Sequence, residues 1–152
     1  MSVSVSRAEE GQHWSVAGAE FRVLADGSTV EGRWGVVQCS IAAGWTGPPQ
    51  HIHRQHDESF FILTGTVRFT SGREELLAPP GSLVTAPIGV PHSFANADSR
   101  TPASFLCTVT PERYLGYFWE VATLRPGPDG QLDPAEVLAM MSRYATEPYR
   151  PA

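Results

Sequence analysis

The stretch HIHRQHDESFFILTG, residues 51–65, places three histidines and two acids in its first eight positions, in a chain with only five histidines altogether. In a β-strand alternate residues share a face, so His51 and His53 point the same way with Ile52 opposite. Two imidazoles one residue apart on one face make a chelating pair. Four residues precede Glu58, enough for a turn to bring its carboxylate back beside them. The apolar run SFFILT that follows reads as a strand. Downstream, HSFAN supplies His92 at the start of another. Taken singly, HxH suits a surface strand and His92 a loop edge. Taken together, three neutral imidazoles and one carboxylate suit a divalent first-row metal: imidazole favours Zn, Cu, Fe and Ni, and the carboxylate admits Mn.

The totals bound the rest. At 152 residues and 16.5 kDa the chain has the size of one domain with a core of its own. Its 41% hydrophobic and 18% charged content is too apolar for disorder. A net charge of −5 argues against nucleic acid or an anionic membrane surface as partner. No apolar run approaches the ~20 residues of a membrane helix. The start, MSVSVSRAEE, lacks the basic and apolar segments of a signal peptide, so a cytoplasmic location is expected. Cys39 and Cys107 each fall in a strand-like run and read as two separate buried thiols.

Short runs rich in β-branched and aromatic residues recur along the chain: EFRVLA, RWGVVQCSIAA, QHIH, ESFFILT, GTVRFT, SLVTAP, HSFAN and ASFLCTVT. Turn signals such as DGST, GWTGPP, TSGR, APPG, PIGVP and ADSRTP separate them. This spacing predicts an all-β sandwich or barrel and no βαβ alternation. The character changes after Thr110. TPERYLGYFWEVATL predicts a helix capped by Thr110 with Pro111 at its first position. RPGPDGQL breaks the chain, and DPAEVLAMMSRYA predicts a second helix, with Asp133 as cap, Pro134 first and Glu136 completing a capping box. Its Val137, Leu138, Met141 and Tyr144 fall on one apolar face, expected to pack on the barrel. The expected plan is an arm over 1–18, a β domain over 19–110 and a helical extension over 111–152.

The stretch from Gly44 to Asn96 resembles the cupin superfamily. That family's first motif is HxH, three or four residues, Glu, six residues, Gly, met here by His51, His53, Glu58 and Gly65. Its second is glycine, five residues, PxG, two residues, His, three residues, Asn; GSLVTAPIGVPHSFAN matches with Gly81, Pro87, Gly89, His92 and Asn96. Fifteen residues separate Gly65 from Gly81, similar to the short spacing of microbial single-domain cupins. Gly44 leaves six residues before His51 where the family usually has five, a departure that falls on the turn. The resemblance implies an antiparallel cupin jelly-roll barrel holding one divalent transition metal (Fe, Ni, Mn or Cu, with Zn as an alternative) on His51, His53, Glu58 and His92.

Within such a barrel, Glu58 inward puts Phe60 and Ile62 inward, and His92 inward puts Phe94 inward. With Trp34, Phe105 and the YLGYFW segment, these side chains predict a cavity for a small apolar or aromatic molecule. His56, on the turn, is expected at the rim, Asp57 in solvent and His13 on the surface. HxHxxxxE with an aromatic strand and a helical tail looks like the quercetin 2,3-dioxygenase-like cupins. That likeness implies a metal-dependent dioxygenase of a phenolic or enolic compound, taking O₂, with Glu58 as both ligand and base. Two other readings share the same ligands: a polyketide cyclase or isomerase using the metal as a Lewis acid, and a non-enzymatic small-molecule-binding cupin. Cupins commonly dimerise, so a homodimer is expected by analogy.

Overall fold

The computed structural model describes residues 3–125, 127–128 and 132–151; part of the RPGPDGQL break lies outside them. The β domain runs through β1 (His13–Val16), β2 (Ala19–Ala25), β3 (Gly35–Ile41), β4 (His51–His53), β5 (Asp57–Thr64), β6 (Val67–Ser71), β7 (Glu74–Ala78), β8 (Leu83–Ala86), β9 (Ser93–Asn96) and β10 (Ala103–Thr110). Helices α1 (Leu115–Thr123) and α2 (Pro134–Arg143) follow, then a short β11 (Thr146–Pro148).

Two antiparallel layers face each other. One has the strand order β1-β2-β3-β10-β5-β8. The other has β7-β6-β9, and a bridge between His51 and His92 carries it on to the pair β4-β11. This is a jelly roll, and its core follows from period-two alternation. Val37, Cys39 and Ile41 of β3, Phe60 and Ile62 of β5, and Phe105, Cys107 and Val109 of β10 all turn inward and are buried. Register stacks them, with Phe105 opposite both Cys39 and Ile62, and Cys107 opposite both Val37 and Phe60. Cys39 and Cys107 are therefore offset along the ladder, and both are free thiols, as expected.

Several boundaries differ from expectation. Residues 13–16 of the arm form an edge strand on β2. EELLA forms β7, which the sequence pattern does not signal because Leu76 and Leu77 are both exposed and no alternation exists. Thr110 ends β10, paired with Asp57, and caps nothing. Pro111 is extended, a 3₁₀ turn covers Glu112–Tyr114, and α1 begins only at Leu115. Asp133 does cap α2, accepting from the Ala135 N–H at 2.8 Å. The most deeply buried residue of α2 is Met140, while Leu138 is 42% exposed. Among the described residues no helix is long and apolar enough to cross a membrane.

Candidate metal centre

β4 is short and would be marginal alone, but it is tied on both sides. On one side His51 and His92 exchange backbone hydrogen bonds of 2.9 Å each way. On the other, Thr146, Glu147 and Pro148 of β11 pair with His53, Ile52 and His51. The Gly89 N–H donates to the His53 carbonyl at 2.8 Å, and the Ile88 N–H to the Asp57 carboxylate at 2.8 Å. Asp57 is thus a turn anchor rather than a free solvated acid. Gly47, at φ 71°, lets the β3–β4 loop close on β9: a Cβ there would meet the Phe94 carbonyl oxygen at 1.8 Å. Gly65, at φ 70°, makes the tight turn from β5 to β6, where a Cβ would crowd Ala103 at 2.7 Å.

His51, His53, Glu58 and His92 are all buried, and one donor atom from each lies within 4.8 Å of the others. Each imidazole is oriented from behind. His51 Nδ1–H donates to the Pro49 carbonyl at 2.9 Å and His92 Nδ1–H to the Val90 carbonyl at 3.1 Å. His53 Nδ1–H donates to Thr146 Oγ1 at 2.9 Å, and that hydroxyl donates in turn to the Tyr144 carbonyl at 3.2 Å. A carbonyl cannot donate, so the proton sits on Nδ1 and the Nε2 lone pair faces the interior. Glu58 Oε2 lies 3.2 Å from Nε2 of His53 and 3.2 Å from Nε2 of His92.

Electrostatics agree with a cation between these groups. Burial alone would raise the Glu58 carboxyl, but the imidazoles of His53 and then His92 beside it hold it well below its usual range. Burial, with His92 and His53 nearby, lowers His51 to about 4. His51 is thus a neutral donor beside an ionised carboxylate, as a divalent ion requires of its ligands. Among the described residues, buried His53 Nε2 has no hydrogen-bond partner. An orphaned lone pair beside a carboxylate costs free energy unless something positive lies between them. Donors 3.2 Å apart match the roughly 3.0 Å between adjacent ligands of an octahedral ion with bonds of about 2.1 Å. The residues present therefore fit a divalent transition metal.

The cage opens on one side into a cavity of about 740 Å³, with His51 and Glu58 in its wall. Phe60, Phe94 and Phe105 of the barrel face it, as expected, and Tyr114, Tyr117 and Phe118 close it from the C-terminal extension. Trp45, Pro48 and Pro49 of the β3–β4 loop and Val137, Leu138 and Met141 of α2 complete the wall, so the apolar face of α2 lines the cavity. Three expected wall residues are elsewhere, and one of them, Trp119 of the YLGYFW segment, stacks on Trp14 instead. Trp34 is 39% exposed, because β3 begins only at Gly35 and leaves it outside the ladder. Ile62 points inward but is fully buried past Phe60, out of reach of the cavity.

His56 also departs from expectation. It is 2% exposed, its ring 3.8 Å from that of His53 and stacked at 3.5 Å on Tyr114, whereas a rim position had been expected. Only the HxHxxH spacing hinted at it. Thr146 carried no signal for the site, and Tyr114 only that of its aromatic segment as cavity wall, since both reach the histidines by tertiary packing of the tail. His13 is exposed on β1, as expected.

With this geometry in place, likeness to known proteins is informative. The fold is the cupin jelly roll, and the family model of the Cupin domain matches residues 37–109. Among solved structures the chain is similar to KdgF from Halomonas sp., with a TM-score of 0.63 and 18% identity over 74% of this chain and 96% of that one. It is similar to a predicted oxalate decarboxylase from Thermotoga maritima, at TM-score 0.62 and 19% identity over 72% of this chain and 99% of that one. It is also similar to Pac13, a nucleoside dehydratase of Streptomyces, at TM-score 0.56 and 17% identity over 73% and 83%. At such identities the likeness is one of fold. No curated protein matches the chain in sequence.

Proposed function

We propose that this protein is a metal-dependent dioxygenase acting on a small, uncharged phenolic or enolic compound. The observation that carries the reading is the pairing of a four-donor cage with an aromatic cavity that lacks cationic side chains. Among the described residues no arginine lines the cavity, its one acid is Glu58, and the chain contains no lysine. A substrate bearing a carboxylate or phosphate would be desolvated there without a partner other than the ion. A planar aromatic compound would instead find Phe60, Phe94 and Phe105 on one side and Tyr117 and Phe118 on the other.

Bound in the cage, a divalent ion (Fe, Ni, Mn or Cu) would supply Lewis acidity and, where redox-active, access to dioxygen chemistry. His51, His53, Glu58 and His92 would hold such an ion and, on a six-coordinate one, would leave room for other ligands. Glu58 takes the proton of the substrate hydroxyl on a carboxylate oxygen, its ionised state being favoured by His53 and His92. The aromatic wall orients the ring and excludes water. Cys39 and Cys107, whose thiols burial pushes well above the usual range, remain protonated and take no nucleophilic part.

The test is oxygen uptake by protein reconstituted in turn with each metal, against flavonols and enediols. Substrate-dependent consumption supports a dioxygenase. The same cage would serve oxygen-independent Lewis-acid chemistry such as dehydration, the activity of the Pac13 neighbour. Turnover without oxygen uptake would favour that reading.

A further inference from the structure

His56 is a fourth imidazole at the site, and its Nε2 is buried with no hydrogen-bond partner among the described residues. Ring spacing says whether it belongs among the ligands. A metal–nitrogen bond of about 2.1 Å puts an imidazole centre about 3.2 Å from the ion, so two rings at right angles stand roughly 4.6 Å apart. The ring centres of His51, His53 and His92 are 4.6, 4.8 and 5.0 Å apart pairwise, as three rings around one ion should be. His53 and His56 are only 3.8 Å apart, too close for both to bind the same ion at right angles. His56 is also absent from the cavity wall, so it does not meet substrate.

What it does face is the carboxylate. Glu58 Oε2 is the oxygen shared by His53 and His92, while His56 Nε2 lies 3.9 Å from Oε1. We propose that His56 is a positioning residue that sets how Glu58 binds the ion. In its Nε2–H tautomer it donates to Oε1 once Oε2 is drawn into the coordination sphere, closing that gap and holding the carboxylate to one-oxygen binding. A second metal position then stays open for substrate. Tyr114, stacked on His56 at 3.5 Å and 4.8 Å from the ring of His53, packs the His56 ring in place, which gives the C-terminal extension a part in building the site.

This inference rests on the metal-centre reading, and cobalt(II) separates the two. His56→Phe keeps the ring stack and removes the donor; His56→Gln keeps an N–H that can reach Oε1. Thermal unfolding of both is followed alongside, and His56→Leu replaces the phenylalanine variant if that does not fold. The expected result is about tenfold weaker cobalt binding in His56→Phe, with altered cobalt d–d absorption as Glu58 shifts towards two-oxygen binding. His56→Gln should return both to near wild type. Unchanged affinity and spectrum in His56→Phe overturn the proposal. So does loss of one metal-bound imidazole in that variant, counted by pulsed electron paramagnetic resonance on copper(II), which would make His56 a ligand. If His51→Ala binds cobalt as well as wild type does, the metal centre itself is wrong, a distinct failure.

Discussion

His51 and His92, far apart in the chain, form a directly opposed pair, each donating its backbone N–H to the other's carbonyl at 2.9 Å. That single bridge joins the β7-β6-β9 sheet to the β4-β11 pair and places two imidazoles side by side, with ring centres 4.6 Å apart. The element that closes the barrel is thus the one that assembles the cage. A backbone defect there would disturb fold and metal site together.

Glu58→Gln separates ligand from base. The amide oxygen still reaches the cage, so the variant should retain metal with affinity lowered by roughly 10–100-fold. It cannot take a proton, so turnover should fall by about 10²–10⁴-fold. Metal titration and steady-state rates check both. Unchanged turnover would make Glu58 a ligand only.

Thr146→Val removes the oxygen that accepts from His53 Nδ1–H at 2.9 Å while keeping the side chain's shape. His53 loses its tautomer lock, and metal affinity should weaken by about tenfold. Thr146→Ser should restore it, and calorimetric titration of the three proteins reads the outcome. Equal affinity in the valine variant would show that β11 contributes only backbone pairing.

Phe105→Ala and Trp34→Ala test which aromatics matter. Phe105 is fully buried, faces Cys39 and Ile62 across the ladders and lines the cavity, so its loss should cost about 3–5 kcal/mol. Trp34, 39% exposed and outside the cavity wall, should cost much less than Phe105 and leave turnover unchanged. Denaturant unfolding reads stability. A strong kinetic effect of Trp34→Ala would mean the cavity extends further than its described walls.

Metal-free protein should lose stability as pH falls from about 6.5 towards 4. His51 is held down to about 4 and His56 to about 3, by burial first and neighbouring imidazoles next. Unfolded, both titrate near 6.5, so across this window the unfolded chain takes up protons that the folded chain refuses. His92 adds no slope in this window: burial is outweighed there by its bond to Glu58, so its contribution is full below 6.5 and fades only as pH rises through its raised value. Glu58, held well below its usual range, adds to the loss at the acid end, so the net slope is destabilising on acidification. Replacing His56 with Gln should flatten it. A midpoint independent of pH between 4 and 6.5 would contradict these assignments.

How much of this is legible in the sequence depends on the range of the interaction. Period-two alternation specifies most of the strands, because it acts within one element, whereas the set His51, His53, Glu58 and His92 is legible through the resemblance of two motifs to the cupins. The inward turn of Phe60, Phe94 and Phe105 follows from the same alternation. Burial of His56 does not, since it depends on Tyr114 folding back from beyond β10. Thr146 likewise reaches His53 only because the chain returns after α2 to add a strand to β4. Trp34 looks like a wall residue until β3 is seen to begin one position later. The late start of α1 is set by β10, whose pairing with β5 extends to Thr110 and takes that residue from the helix.

The most direct test is metal quantification of the protein after dialysis against nickel(II) or iron(II) and removal of the excess, beside the His51→Ala and His92→Ala variants. About one equivalent per chain is expected in the wild type and its loss in both variants, with affinity reduced by at least about 100-fold. A wild type that holds no metal, or alanine variants that hold as much as it does, would contradict that expectation.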